Sequence, residues 1–206
     1  MKRSPTQDIE KLLYHHGIKY IAGVDEAGRG PVAGPVTAAA VILPVDKFLT
    51  DIRDSKSLPA NRREAAAECI KETALAFSIV HIPNDIIDSI NILNATRLAV
   101  RKVIEFLNTV PQVILIDGKF LNVSGRTCIS VVKGDATVYS IAAASILAKT
   151  SRDRLMLQYA NEYPEYSFEK NKGYLTSQHL EAIRSHGYSP IHRRSFTIPS
   201  FGAAGE

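Results

Sequence analysis

The chain has 206 residues, with 25 Lys plus Arg against 21 Asp plus Glu for a formal charge of +4, and 45% of its residues are hydrophobic. That length suits one domain, or one domain with a small appendage, and the apolar fraction is enough for a packed core, so disorder, collagen and a disulfide scaffold are excluded. The two cysteines, Cys69 and Cys128, match no zinc or redox spacing and predict buried thiols in a reducing cytoplasm. No apolar run approaches the roughly 18 residues of a membrane span, and Lys2 and Arg3 lead into a polar stretch rather than a signal sequence, so a soluble, unprocessed protein away from membranes is expected.

Ile9, Leu12 and Leu13 mark a short amphipathic helix stopped by Gly17. A first strand is predicted over 20–25 and, after a Gly/Pro-rich turn, a buried apolar strand over 36–43. The Ala- and Glu-rich stretch 61–76 reads as a helix, and 77–82 alternates as a third strand. Residues 91–108 predict the clearest long helix, 113–116 and 129–132 two further strands, and 136–159 a long helix whose first half is small: Ala142, Ala143, Ala144, Ser145, Ala148. Small side chains there let the helix lie close to a neighbouring backbone. A last helix over 177–185 starts after Thr176 as N-cap and ends at Gly187. No repeat or linker divides the chain, and the order of elements predicts an α/β fold with a mixed sheet flanked by helices.

Basic residues cluster between Lys119 and Arg154 and again in the last 25 residues, where Arg184, Arg193 and Arg194 face one acid, Glu206. This suits a polyanionic partner, with a solvated charged face as the bland alternative. Two apolar strands run into carboxylates: residues 21–24 into Asp25-Glu26, and residues 113–116 into Asp117-Gly118. Sites in open α/β sheets lie beyond the carboxyl ends of strands. If these strands are parallel neighbours, Asp25 and Asp117 face one another, and two carboxylates about 4 Å apart repel by ~4 kcal/mol at an effective dielectric of ~20. They then need a shared proton or a cation, and all-oxygen donors favour Mg2+ or Mn2+. Adjacent strand residues point to opposite faces, so either the strand ends by Glu26 or Glu26 contributes its main-chain carbonyl. Asp135, in Lys133-Gly134-Asp135, is a fourth acid or a helix N-cap. Gly28-Arg29-Gly30-Pro31-Val32-Ala33-Gly34 lacks the spacing of a dinucleotide fingerprint, but a Gly-rich loop with one Arg can bring its backbone close to a sugar-phosphate ligand.

The run from Asp25 to Val36, with Asp-Glu-Ala-Gly-Arg-Gly-Pro at its start, resembles the opening motif of ribonuclease HII, the type 2 ribonuclease H of bacteria. Asp54-Ser55-Lys56-Ser57-Leu58, Ile116-Asp117-Gly118, Gly134-Asp135, the run 142–149, Arg152-Asp153 and His192-Arg193-Arg194-Ser195-Phe196 are similar to further motifs of that family, in the same order. The resemblance implies a ribonuclease H-like catalytic domain over 1–160 and a small helical C-terminal extension over 161–206, packed on the substrate groove. It implies an endonuclease that hydrolyses the RNA strand of RNA-DNA hybrids and nicks 5′ to ribonucleotides embedded in duplex DNA, leaving 3′-hydroxyl and 5′-phosphate ends. Carried over by position, Asp25, Glu26, Asp117 and Asp135 would be the catalytic, metal-binding quartet of a two-metal Mg2+ or Mn2+ site. Gly28, Arg29 and Gly30 would read the ribose 2′-hydroxyl. Lys56, Ser145, Lys149, Arg193 and Arg194 would contact the nucleic acid, and Tyr174 would stack on the following deoxyribose. A monomer is expected. The family's Gly-Tyr-Gly-Thr element reads Gly173-Tyr174-Leu175-Thr176 here, so Leu175 strains the loop if that position needs positive φ. A noncatalytic hybrid-binding protein and another metal-dependent phosphotransfer enzyme remain as rival readings.

Overall fold

The structure is a computed structural model in which residues 4–49, 52, 58–118 and 125–198 are described. In chain order the elements are α1 (Asp8–His15), β1 (Ile21–Ala27), β2 (Val36–Ile42), α2 (Ala60–Thr73), β3 (Ala76–Ile82), α3 (Asn84–Glu105), β4 (Val113–Asp117), β5 (Thr127–Val131), the single turn α4 (Gly134–Thr137), α5 (Tyr139–Glu162), the short α6 (Phe168–Asn171) and α7 (Ser177–His186). One sheet has the order β3-β2-β1-β4-β5; β1 pairs β2 and β2 pairs β3 antiparallel, while β1–β4 and β4–β5 are parallel. The expected mixed sheet flanked by helices is therefore present. No described helix is long and apolar enough to cross a membrane.

The two-residue period of the strands sorts the core into two layers. Ala22, Val24, Ile114 and Ile116 face α3, where Ala95, Ala99, Val100 and Val103 complete one fully buried cluster. Ile21, Val113 and Leu115 face the other side, against Val138 and Ile141 at the start of α5. Each fully buried Val, Leu or Ile contributes about 1.5–3 kcal/mol of transfer free energy, so these two layers hold the sheet in one register. The small-residue half of α5 does what its composition predicts. It crosses β1 so closely that a Cβ placed on Gly23 would lie 2.1 Å from the backbone carbon of Ser140. No side chain of its own caps α5; instead the buried Glu10 of α1 accepts the Ser140 N–H at 2.8 Å, satisfying one of the orphan amides of the helix start.

Four expectations change. The long helix predicted over 91–108 begins at Asn84, and Asn91 interrupts it with φ 65°. The sequence signal for a helix start at Asn91 reflects a local cap, since Asn91 Oδ1 accepts the Asn94 N–H at 3.1 Å. The helix predicted over 136–159 is split, because extended Val138 bridges to Thr6 and separates α4 from α5. The helix and strand predicted over 61–76 and 77–82 meet earlier, β3 starting at Ala76. Finally, the thiols are not both buried: Cys69 is exposed on the outer face of α2, whose Ala66, Ala67 and Ile70 turn inward, and Cys128 is half-buried in β5.

Beyond α5 the chain folds back over the Gly-rich loop between β1 and β2. Tyr166, Phe168, Ile183 and Ile191 cluster with Val32, Ala33 and Met156. Two buried imidazoles sit inside this cluster, His179 Nε2 and His192 Nε2 being 3.0 Å apart, with Ser189 N–H donating to His192 Nδ1 at 2.9 Å. Burial lowers the pKa of both, and the neighbouring His179 helps to bring His192 to about 4.

Two outcomes follow from this packing. Gly23→Ala should be strongly destabilising, by about 3 kcal/mol or more, because the new methyl meets backbone rather than a side chain that can swing away; urea unfolding would show it. The depressed histidines should make stability fall with acid: unfolded imidazoles take up protons below about pH 6.5, whereas burial makes folded His179 resist protonation and folded His192 resist it until about 4. The urea midpoint should therefore drop between pH 7 and pH 5, and drop less in His192→Gln.

Candidate active site

Since β1 and β4 pair in register up to Val24 and Ile116, the next residues, Asp25 and Asp117, lie side by side at the carboxyl end of the sheet. Both continue the series that faces α5. One carboxylate oxygen from each of Asp25, Asp117 and Asp135 lies within 4.8 Å of the others, the single such group of acids, histidines or cysteines among the described residues. Asp25 is only 5% exposed; its Oδ1 accepts the Glu26 N–H at 2.8 Å, and the Ser145 hydroxyl of α5 hydrogen-bonds its carboxylate. Burial, then the charges of Glu26 and Asp117, hold the Asp25 carboxyl well above the usual carboxylate range. Desolvation and like charge both oppose ionisation, and a bound cation relieves both. Asp117 Oδ1 accepts the Gly134 N–H at 2.6 Å, which ties β4 to the turn carrying Asp135. That turn depends on Lys133 in the left-handed region at φ 58°. Asp135 is not an N-cap: it lies inside α4, and neither α4 nor α5 has a side-chain cap.

Glu26 behaves differently from the other three acids. β1 does not end there but continues, Glu26 pairing with Ala38 and Ala27 with Thr37, so its side chain points to the opposite face from Asp25. Its Oε1 accepts from Arg29 Nη1 at 3.3 Å, and its carboxylate is not in the three-acid group. Of the two options open at Glu26, the ended strand is thereby excluded.

Gly28, at φ 91°, begins the loop in a conformation that favours glycine, and a Cβ there would lie 2.2 Å from Arg152 Nε. Across the loop stands Tyr174, 47% exposed, with Cε1 3.6 Å from where a Gly30 Cβ would lie. Leu175 is not strained. Among the described residues the positive φ values near it fall on Lys172, at 50°, and Gly173, at 83°, so leucine fits an ordinary conformation in the position that is glycine in the family's pattern. Thr176 is the N-cap of α7 as expected, accepting the His179 N–H.

The basic residues divide. Lys56 lies outside the described residues. Ser145 and Lys149 share a face of α5, and Lys149 Nζ is 2.7 Å from Asp153 Oδ1. Arg193 cannot be a phosphate ligand as it stands: it is fully buried and donates to the main-chain oxygens of Gly28, Arg29 and Gly34. Arg194 remains exposed, its guanidinium 5.8 Å from the Tyr188 ring centroid and its N–H held by Asp88. Within the basic run ending at Arg154, Arg152 is buried and Arg154 is paired with Glu64 and Glu68, so much less of that charge faces solvent than the sequence suggests. Sequence reasoning passed over Arg152 and Asn171 as site residues; a buried guanidinium is not distinguishable from a surface one by residue type alone.

Comparison with known proteins agrees with this geometry. The family model for ribonuclease HII matches residues 22–198. Ribonuclease HII of Endomicrobium trichonymphae is 50% identical over 192 residues, covering 91% of this chain and 90% of that protein. The one from Syntrophus aciditrophicus is 50% identical over 194 residues, covering 93% and 90%. Among solved structures, ribonuclease H2 from Pyrococcus horikoshii superposes with a TM-score of 0.73 at 26% identity, covering 86% of this chain and 93% of that one. Bst-RNase HIII in complex with Mn2+ shares the fold at a TM-score of 0.60 and 20% identity, over 82% of this chain and 63% of that one. With its acids at the sheet's carboxyl end and its glycine loop beside them, the chain belongs to the ribonuclease HII family, metal-dependent endoribonucleases that degrade RNA in RNA-DNA hybrids.

Proposed function

We propose that this chain nicks duplex DNA on the 5′ side of an embedded ribonucleotide, as well as cutting RNA-DNA hybrids, with Asp25, Asp117, Asp135 and the Glu26 main-chain carbonyl holding Mg2+ or Mn2+. The observation that carries this reading is the convergence of three carboxylates within 4.8 Å, those of Asp25 and Asp135 buried, with Asp25 on the strand that leads into the Gly28-Arg29-Gly30 loop. The site residues fit hard divalent cations, because every donor is oxygen and burial with crowding disfavours the free charged carboxylates. When bound, such ions supply an activated water and charge stabilisation at the leaving 3′ oxygen.

The chain's own residues account for recognition. Gly28, Arg29 and Gly30 present backbone that can approach the ribose 2′-hydroxyl, the group that separates RNA from DNA. The half-exposed ring of Tyr174 packs on the next deoxyribose, where an added 2′-hydroxyl would crowd it. Ser145 orients the Asp25 carboxylate, and Lys149, anchored by Asp153, offers its ammonium to a substrate phosphate. Arg194 and Lys56 add charge along the duplex. In this reading residues 161–198, which carry Tyr174 and Arg194, line the substrate groove. The protein is read as a monomer, and the unpaired cysteines fit a reducing cytoplasm.

The decisive assay is incubation with duplex DNA carrying one ribonucleotide, with and without Mg2+ or Mn2+. One metal-dependent nick 5′ to the ribonucleotide is expected, and equal cutting of an all-DNA control would overturn the reading. Asp25→Asn and Asp117→Asn should each lower kcat at least about 100-fold, ~2.7 kcal/mol, while hybrid binding by gel shift stays within a few fold. Hybrid binding that needs no metal and survives Asp25→Asn, with no cutting by the wild type, would favour the binding-protein reading, and turnover of small phosphomonoesters would favour another phosphotransfer enzyme.

Tyr174→Ala should lower kcat/KM on the single-ribonucleotide duplex about tenfold more than on a long RNA tract. Leu175→Gly should change either activity by less than about threefold, because the leucine stores no backbone strain to release. Steady-state kinetics on the two substrates measures both.

A further inference from the structure

Among the described residues two guanidiniums are buried without a bidentate carboxylate partner, and both are turned onto main-chain carbonyls. Arg193, 0% exposed, donates to Gly28 O at 2.6 Å, Arg29 O at 3.1 Å and Gly34 O at 2.9 Å. Arg152, 1% exposed, donates to Ala33 O at 3.1 Å and Pro35 O at 2.9 Å in the same loop, and its third bond, from Nη1, reaches Lys172 O at 2.9 Å. Arg193 therefore serves the Gly-rich loop alone, whereas Arg152 joins that loop to the segment carrying Tyr174. The junction is dense: Val32 N–H donates to Gly173 O at 2.9 Å, and Asn171 Oδ1 accepts the Gly173 N–H at 2.7 Å while its Nδ2 donates to Tyr166 O at 2.7 Å. Its product is the placement of the Tyr174 ring edge 3.6 Å from the Cβ position of Gly30.

Burying a guanidinium costs several kcal/mol unless its donors are satisfied, so a group used only to fill space would be replaced at a gain by apolar packing. What a guanidinium offers here is a rigid planar fork whose donors reach three carbonyls on two segments at fixed angles, which an ammonium on a flexible stem cannot do. We propose that Arg152 is a positioning residue for substrate specificity, tying the Ala33–Pro35 end of the Gly-rich loop to the segment carrying Tyr174 while its guanidinium lies under Gly28, so that the ribose and the sugar that follows it are read together. The inference rests on the reading of Gly28–Gly30 and Tyr174 given above.

A double-mutant cycle tests it. Arg152→Lys keeps the buried charge and removes most of the fork. It should lower kcat/KM on duplex DNA with one ribonucleotide about 30-fold and on a continuous RNA-DNA hybrid less than about fivefold. Adding Tyr174→Ala to Arg152→Lys should cost little more on the single-ribonucleotide duplex, although Tyr174→Ala alone costs about tenfold more there than on the hybrid. Equal losses on the two substrates, or penalties that multiply, would overturn the proposal and leave Arg152 a structural residue. If Tyr174→Ala alone shows no preference between substrates, the reading of Tyr174 fails, and that failure is visible without any Arg152 variant. Should Arg152→Lys not yield folded protein by circular dichroism and thermal melting, Asn171→Ala frees the Gly173 N–H on the Tyr174 side of the same junction. It should show the same selective loss and the same non-multiplying penalty, and an unselective loss would overturn the proposal.

Discussion

The structure depends first on how closely α5 lies on β1. Contact at Gly23 is backbone on backbone, and it is possible only because the strand has no side chain at that point and the helix is lined with alanine and serine. This closeness brings Ser145 to Asp25 and buries that carboxylate almost completely. A bulkier layer between helix and sheet would let water reach the acid, lower its pKa toward the ordinary range and weaken the demand for a cation.

Around that contact the acids are supplied by different kinds of structure. Asp25 and Asp117 come from parallel strands, where the side-chain period of two puts them on one face beside each other. Asp135 comes from a one-turn helix, held by the Gly134 N–H that Asp117 accepts. Glu26, one residue beyond Asp25, is sent by the same period to the other face, where it meets Arg29. Geometry relieves the charge crowding only in part, since Glu26 still raises the pKa of the Asp25 carboxyl from the other face, and the three converging carboxylates suit a cation.

The recognition side is built on a different principle. A Gly-rich loop has little side-chain packing to hold it, so its carbonyls are bonded from beneath by Arg152 and Arg193 and its flank is bridged by Ala33 and His192. Each of those arginines lies far from the loop in sequence, in α5 and after α7. The C-terminal segment is therefore as much a part of the site as the strands that carry the acids.

The sequence by itself determined what is local: the amphipathic start, the apolar strands leading into Asp25 and Asp117, the small-residue face of α5, the Thr176 cap with Gly187 beyond it, and, through the order of its motifs, the family. Hydrophobic period and turn chemistry act over a few residues and leave a readable trace. Tertiary structure decided the rest. That Asp25 and Asp117 are neighbours follows from β1 and β4 pairing residues 92 positions apart, Ile21 with Val113 to Val24 with Ile116, which no local signal encodes. The turn from Lys133 to Asp135 is a separate helix because Thr6 pins Val138. Leu175 is unstrained because its neighbours Lys172 and Gly173 take the left-handed conformations. Arg193 and Arg152 read in sequence as surface charge, yet both are inside, because the carbonyls of the Gly-rich loop and of Lys172 satisfy their donors and those bonds together offset the guanidiniums' loss of water.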